Sequence, residues 1–418
     1  MKEKFIFNSQ TKKNLLILLI SGILLTLLGI WMVINGGDHH EEVSHLASST
    51  SHSEFHWYQR LFSNLWINNV FFTGISLSGV FFLAIQYVAQ AGWSAGLIRI
   101  PMSMGSWLPF GFVFMLLVFG IANHDLFHWT HEYLYDINDD RYDAIIDGKK
   151  AYLNIPFYVS RMVGFFLIWY LLYRIIVSES VKEDTNGGET HWKKMFTYSV
   201  IFVVFYALSS SVSAWDWILS IDTHWFSTMI GWYVFASWWV SSLAFITLMV
   251  ISLKDSGYFD FINHSVIHDL GKFVFAFSVF WTYLWFSQYL LIYYAHIPEE
   301  TIYYVERVKS ETYLPFFYIN LICNFFFPFL FLMTRASKRH TRFLKIACPI
   351  ILFGHFIDFY LMVTPGVLKE NGGFGFMEIG VLLVYLSLFI YVILNSLSSR
   401  ALVAKNHPML EESLHHDI

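Results

Sequence analysis

The chain has 418 residues, of which 56% are hydrophobic and only 14% are charged. Soluble globular proteins carry roughly 25% charged residues, so this composition excludes an ordinary soluble protein. The net charge of −5 is small for this length and favours no class of charged partner.

Ten apolar blocks are long enough to cross a bilayer, which takes about 20 residues of helix. The first block follows Lys12 and Lys13, exceeds a signal-peptide core and precedes no small-residue cleavage site, which predicts an uncleaved helix. The sequence therefore predicts an all-α integral membrane protein with about ten transmembrane helices. In chain order the predicted helices are residues 14–34, 67–89, 105–123, 155–177, 195–221, 225–253, 272–295, 313–334, 343–364 and 374–397.

The segments outside these blocks are polar. Residues 35–66 are predicted to form an outer loop that is rich in Ser and His between His39 and His56, and residues 124–154 an acidic, aromatic segment along the outer interface. Residues 178–194 are predicted to be a solvated inner loop. The membrane domain then covers residues 1–403, and residues 404–418 are expected to be a disordered cytoplasmic tail. Only Asp222, Thr223 and His224 separate the fifth and sixth helices, which predicts a tight hairpin.

Ionisable side chains at membrane depth are candidate functional groups, because they are costly in lipid and usually face a bundle interior or a water path. For those near helix ends, such as Asp222 and His224, snorkelling to the lipid headgroups is an equally good explanation. The spacing assigns no residue a catalytic role. The outer candidates for a proton path or quinol site are Asp125, His128, His131, Arg161, Asp216, Asp222, His224, His355, Asp358 and Glu378, and the inner candidates are His268, Asp269 and Lys272.

Two sets of these candidates have a spacing that predicts contact. Asp125, His128 and His131 follow one another at intervals of three, so they would share one face of a helix. His355 and Asp358 are also three apart, which places them within reach of each other or of a shared water. Whether Arg161 and Asp216 meet this pair or each other is left open.

Histidines and cysteines give no support for a bound redox group. A membrane di-haem cytochrome needs deep histidines that face each other across helices, and only His355 lies at mid-depth. Cys323 and Cys348 lie in separate apolar blocks, which is typical of core packing. We therefore expect this chain alone to bind no haem, iron–sulfur cluster or metal.

Two long stretches resemble a known family. The first is SAWDWILSIDTHWFSTMIGWYVFA at residues 213–236, and the second is HDLGK at 268–272, continued by FSQYLLI at 286–292 and IPEET at 297–301. A weaker match is KAYLNIPF at 150–157, which leads to Arg161. These strings resemble the ActF-type membrane subunit of bacterial alternative complex III, a quinol:electron-acceptor oxidoreductase, within the polysulfide-reductase membrane-subunit (NrfD-like) family.

The resemblance implies two four-helix bundles, helices 2–5 and 6–9, flanked by helices 1 and 10. It also implies a bacterial inner-membrane location and several partners: a related NrfD-like quinone-binding membrane subunit, a periplasmic iron–sulfur protein, haem-c subunits and, as an optional partner, a terminal oxidase. The electron-carrying cofactors would lie in those partners. Either this chain binds quinol itself, or it supports proton movement while its relative holds the quinol, and we favour the second. A secondary transporter and a purely structural scaffold are the alternatives.

The distribution of basic residues predicts the topology. With the N-terminus inside, 18 of the 26 Lys and Arg residues fall on the inner side, 7 on the outer side, and Arg161 within a helix. This excess predicts that both termini are cytoplasmic. Reporter fusions between His39 and His56 should then report the outside, and a cytoplasmic signal there would reverse the orientation.

Overall fold

The computed structural model describes residues 4–36 and 55–417, so most of the predicted outer loop, including His39, lies outside the described residues. Within the described part of the chain, ten helices are long and apolar enough to cross a membrane. The prediction of an all-α multi-pass membrane protein is confirmed. The ten helices are α1 (Ser9–Asn35), α2 (Trp57–Val88), α3 (Arg99–Leu126), α4 (Ile155–Asn186), α5 (Glu189–Ile221), α6 (Ile230–Asp255), α7 (His264–Ala295), α8 (Leu314–Phe331), α9 (Thr341–Asn371) and α10 (Phe376–Ser398).

The helices pack as two rings of four. Helix α2 contacts α3 and α5, and α4 contacts the same two helices, which closes the first bundle. Helix α6 contacts α7 and α9, and α8 contacts both of these, which closes the second bundle. The bundles meet where α2 packs against α6 and α9. In the most apolar stretches of α2 and α6, 89% of the residues are buried, so these two helices form the centre of the molecule.

Helices α1 and α10 form a close pair outside the bundles. A Cβ atom at Gly380 would lie 2.4 Å from the backbone nitrogen of Thr26, so only glycine permits this approach. Small residues commonly bring membrane helices into contact in this way. Lys4 pairs with Ala401 in an isolated antiparallel bridge, which places both described chain ends on the same side. Following the predicted orientation, we call that side the inner side.

Several helix ends differ from the prediction. Helix α2 begins at Trp57 rather than at residue 67. The helix can include Arg60 because the charge of this residue is paired with Glu378 of α10. The predicted inner loop is largely helical, since α4 continues to Asn186 and α5 begins at Glu189, with two left-handed glycines between them. The hairpin before α6 is longer than predicted because residues 222–229 are not part of either spanning helix, and Trp225 stacks on Tyr303 at 3.9 Å.

Two spanning helices are irregular. Helix α3 consists of Arg99–Met104, a 3₁₀ turn at Gly105–Trp107, and Leu108–Leu126. The Met104 carbonyl at this break accepts from Ser76 Oγ at 2.7 Å, so the freed backbone group is satisfied without water. Helix α8 contains a π-helical turn at Ile322–Phe326. The shorter helices are Gly92–Ser94, His128–Thr130, Glu132–Tyr135, Ala144–Asp147, Pro298–Val308, Arg335–Arg339 and Leu410–Leu414.

The C-terminal tail is ordered, so the prediction of disorder is wrong for residues 404–417. The Asn406 side chain donates to the carbonyl of Glu183 at 3.0 Å, at the inner end of α4. Ser413 Oγ donates to the Trp93 carbonyl at 2.9 Å, and His416 Nε2 lies 2.6 Å from Asp269 at the start of α7. The tail therefore crosses the inner side from the first bundle to the second.

Docking of the tail should weaken in acid. Burial, and next the charge of Arg99, lowers the pKa of His407 from 6.5 to about 4. The undocked tail therefore binds more protons than the docked tail between these two values, and docking loses stability as the pH falls below 6.5. The loss at pH 5 is up to about 2 kcal/mol. Hydrogen exchange at residues 402–414, corrected for intrinsic rates, should rise between pH 7.5 and pH 5, and H407Q should abolish the difference. Equal pH dependence in both proteins would contradict this account.

Candidate functional site

The Asp358 carboxylate is the polar centre of the second bundle. It is fully buried, and it accepts hydrogen bonds from one side chain of each of the other three helices. Tyr233 of α6 donates its hydroxyl proton to Oδ1, Trp281 of α7 donates to Oδ2 at 3.0 Å, and Asn320 of α8 donates to Oδ1 at 3.0 Å. All three donors are neutral. The carboxylate thus ties four helices together without a direct partner that carries a full positive charge.

His355 lies one turn before Asp358 and is also fully buried. Its Nδ1 atom is 2.9 Å from Ser237 Oγ and 3.9 Å from Asp358 Oδ2. The shorter distance is a hydrogen bond, whereas the longer one is too long for direct proton transfer. The Nε2 atom has no hydrogen-bond partner among the described residues. The prediction that His355 and Asp358 share one face of a helix is confirmed.

Helix α8 shapes this network through its π-helical turn. Asn324 lies within the turn and donates to Asn320 Oδ1 at 2.6 Å, which orients the Asn320 amide toward Asp358. A Cβ atom at Gly354 would lie 2.3 Å from Asn324 Oδ1, so this glycine lets α9 approach the turn. π-Helical turns occur often at functional sites.

Arg161 and Asp216 form the corresponding polar centre of the first bundle. Nε and Nη2 of Arg161 donate to the two carboxylate oxygens at 2.7 and 2.9 Å, in a bidentate pair. The guanidinium also lies 4.0 Å from the centre of the Tyr152 ring and 4.3 Å from that of Phe157. Both charged side chains are buried. The open question of which groups meet is thus answered: these two pair with each other and not with Asp358.

Glu378 is held by the outer end of α2. Its carboxylate is fully buried and receives two hydrogen bonds from Arg60, at 2.7 and 2.8 Å, and a third from Asn64 at 2.8 Å. The backbone N–H of Gly375 donates a fourth, at 2.7 Å. This ion pair closes the outer contact between α10 and the first bundle.

A buried arginine that the sequence did not single out lies beside the second bundle. Arg307, on the short helix Pro298–Val308, donates through Nε to the Leu361 carbonyl at 2.8 Å. Pro365 lies four residues further along α9 and has no N–H to satisfy that carbonyl. The Arg307 guanidinium also lies 3.3 Å from the centre of the Tyr303 ring. Arg307 thereby anchors the outer helix to the proline break in α9.

The remaining outer candidates lie at the interface rather than within the bundles. Helix α3 ends at Leu126, so the predicted helical face of Asp125, His128 and His131 does not exist. The His128 and His131 rings are nevertheless 5.6 Å apart, across a 3₁₀ turn. Partial burial, and next the charge of His131, lowers the pKa of His128. On the same side His224 Nε2 lies 2.6 Å from Asp143, which caps the helix Ala144–Asp147.

The Asp222 carboxylate accepts no hydrogen bond from another side chain among the described residues. Its neighbour Thr223 accepts a hydrogen bond from Lys149 through its backbone carbonyl, which attaches the loop before α6 to the outer segment. On the inner side, Asp269 lies 2.5 Å from Lys272 and 2.6 Å from His416. The contact with His416 makes Asp269 an attachment point of the C-terminal tail, whereas Lys272 belongs to the same helix. His268 precedes it and has an unpartnered Nδ1 atom within the described structure.

No family model and no curated protein matches this chain. Among residues 4–36 and 55–417, no three His, Cys, Asp or Glu side chains form a group that could hold a metal ion. A carboxylate surrounded by neutral donors, with an imidazole on the same face, can accept and release protons.

The sequence identifies the buried carboxylates, His355 and Arg161 of these clusters, but neither the arginines Arg60 and Arg307 nor the neutral partners. Asn320 and Asn324 were detectable, because two asparagines four apart in an apolar block are costly unless they face a polar group. Pro365 was a second signal, because it predicts an unpaired carbonyl four residues earlier. The tyrosine and tryptophan donors carry no such signal in a chain with 24 Tyr and 16 Trp residues.

The Arg161–Asp216 pair should behave as a structural unit. Asp216→Asn leaves a buried guanidinium without its counter-charge and should cost about 3–5 kcal/mol of stability. The double variant Arg161→Gln/Asp216→Asn should recover much of the loss in Tm, measured by thermal unfolding in detergent. The matched control is the exposed pair Arg141–Asp139, whose neutralisation should leave Tm unchanged. A double variant no more stable than the worse single variant would contradict the pairing.

Proposed function

We propose that this chain is an integral membrane subunit of a respiratory quinol:electron-acceptor oxidoreductase of the alternative complex III type. Its role is to support quinol oxidation by moving protons through the second bundle. The related membrane subunit holds the quinol, and haem-c and iron–sulfur partners carry the electrons. The chain lies in a bacterial cytoplasmic membrane with both termini in the cytoplasm.

The observation that carries the proposal is the Asp358–His355 network. Oxidation of a quinol releases two protons, so the site needs groups that exchange protons away from bulk water. Asp358 is suited to this because its three hydrogen-bond donors are neutral, so no ion pair holds it in the charged form. His355 offers a second exchangeable group 3.9 Å away. A water or a side-chain rotation between these two groups would complete a transfer.

The remaining support comes from the sequence. The stretch that resembles the alternative complex III subunit includes Asp216, Asp222 and His224, and the two rings of helices have the arrangement that the resemblance implies. Asp216 contributes differently from Asp358, because its bidentate bonds to Arg161 favour a permanent ion pair. The first bundle then supplies rigidity, and the second supplies proton exchange.

The proposal is tested on the purified assembly. Asp358→Asn should lower quinol-oxidation turnover, or proton release in vesicles, by at least about tenfold, because a positioned acid–base group typically contributes more than that. The assembly should keep its subunits, since the asparagine carbonyl can still accept from Tyr233 and Asn320, and only the Trp281 N–H loses its acceptor. Turnover, proton release and assembly yield are measured on the same preparations, and Asp139→Asn, at a carboxylate of the outer interface that is paired with Arg141, is the control.

Two results would favour the alternatives. Normal turnover, proton release and assembly in both Asp358→Asn and Asp216→Asn would make the chain a structural scaffold. Uptake of a solute into vesicles that contain only this purified chain would make it a secondary transporter.

A further inference from the structure

Glu183 is a buried carboxyl group that the proposed function does not use. It lies near the inner end of α4, is fully buried, and neither of its carboxyl oxygens has a hydrogen-bond partner within residues 4–36 and 55–417. Two hydroxyl groups nearby, Tyr87 Oη of α2 and Ser180 Oγ of α4, are also buried. Glu183 interacts electrostatically with Tyr87 and with Arg99. These side chains form a buried polar cluster at the inner end of the first bundle, and we call this cluster the Glu183 chamber.

The cation in this chamber is bound to a different carboxylate. Arg99 Nη2 lies 2.6 Å from Asp184 Oδ2 and also donates to the Ser180 carbonyl at 3.2 Å. The charged groups that act on Glu183 are thus one arginine and the carboxylate that already neutralises it. An ionised Glu183 would add a second, unpaired negative charge in a buried place, which is strongly unfavourable. A protonated Glu183 leaves the chamber electrically neutral.

The C-terminal tail covers this chamber. The Asn406 side chain donates to the backbone carbonyl of Glu183 at 3.0 Å. The backbone N–H of Lys405 donates to Asp184 Oδ1 at 3.1 Å. The His407 ring lies 5.7 Å from the Tyr87 ring. A narrow cleft beside the tail leads toward Tyr87, and it is lined by residues that include Gln86, Gln90, Trp192, His407 and Met409.

We infer that Glu183 is a proton-binding site on the inner side of the first bundle, and that it exchanges its proton with the inner aqueous phase through the cleft beside the C-terminal tail. The exchange forms or breaks one O–H bond at the carboxyl group, and water takes or supplies the proton. The buried, unpartnered carboxyl carries the assignment, and the tail sets how fast the site exchanges. This inference goes beyond the proposed function, because it holds whether or not the chain supports quinol oxidation.

Infrared spectroscopy of the purified full-length chain tests the protonation directly. At pH 7 the carbonyl stretching band of a protonated carboxyl should be present in the wild-type protein and lost in Glu183→Gln. Glu179→Gln is the matched control. Glu179 lies one turn earlier and is paired with Lys182 at 2.6 Å and His191 at 2.8 Å, so its substitution should leave that band unchanged. A band unchanged in Glu183→Gln would show that Glu183 is ionised and would overturn the inference.

Stability and exchange provide two further outcomes. Glutamine mimics a protonated glutamate, so Glu183→Gln should keep the wild-type Tm, and a protein that fails to fold would contradict a neutral Glu183. Removal of residues 405–418 should speed the shift of the carboxyl band in D₂O several-fold relative to the full chain. An equal rate in the truncated protein would overturn the role of the tail.

Discussion

The structure depends on one constraint, which is that polar groups inside a membrane must find their partners within the protein. Each unsatisfied group costs several kcal/mol in hydrocarbon. This chain meets the constraint by joining helices through side chains: Asp358 connects α6, α7, α8 and α9, Asp216 connects α4 and α5, and Glu378 connects α2 and α10. Each of these three carboxylates thus holds helices together at a defined depth. The same requirement explains why Arg307 lies at the carbonyl freed by Pro365.

The two bundles meet this constraint in chemically different ways. In the first, the negative charge of Asp216 is matched by the positive charge of Arg161 in a buried bidentate pair. In the second, Asp358 is matched only by neutral donors, and its neighbour His355 has a nitrogen with no partner in the described residues. The first arrangement favours rigidity. The second has no ion pair around Asp358, and for that reason the proposed proton transfer is assigned to it.

The sequence predicts the number and order of the transmembrane helices well, because hydropathy sums over some twenty residues and depends little on any partner. It fails where a distant residue changes a local preference. The predicted start of helix α2 is ten residues too late. Arg60 extends the helix because Glu378, 318 positions away in the sequence, neutralises its charge. The tail was predicted to be disordered from its polar composition, but Asn406, Ser413 and His416 find partners on the inner ends of other segments.

In the candidate site, too, contacts within one helix can be predicted from the sequence, whereas contacts between helices cannot. The spacing of His355 and Asp358 on one helix was readable, because a helix repeats with known geometry. Their partners Tyr233 and Trp281 were not, because these come from other helices and require the packing of the bundle. The helical face predicted for Asp125 and His128 was wrong because α3 ends at Leu126, where the chain turns along the interface.

Helix α2 packs in both bundles and carries buried polar side chains along its length. It packs on α3 and α5 of the first bundle and on α6 and α9 of the second. Its buried face toward α3 carries Asn69 and Ser76, which donate to backbone carbonyls of Gly111 and Met104 at 3.2 and 2.7 Å. At its outer end Asn64 binds Glu378, and at its inner end Tyr87 borders the Glu183 chamber. Polar side chains thus recur along α2 from one side of the membrane to the other. The buried carboxyl groups of Glu378 and Glu183 lie near its outer and inner ends, respectively.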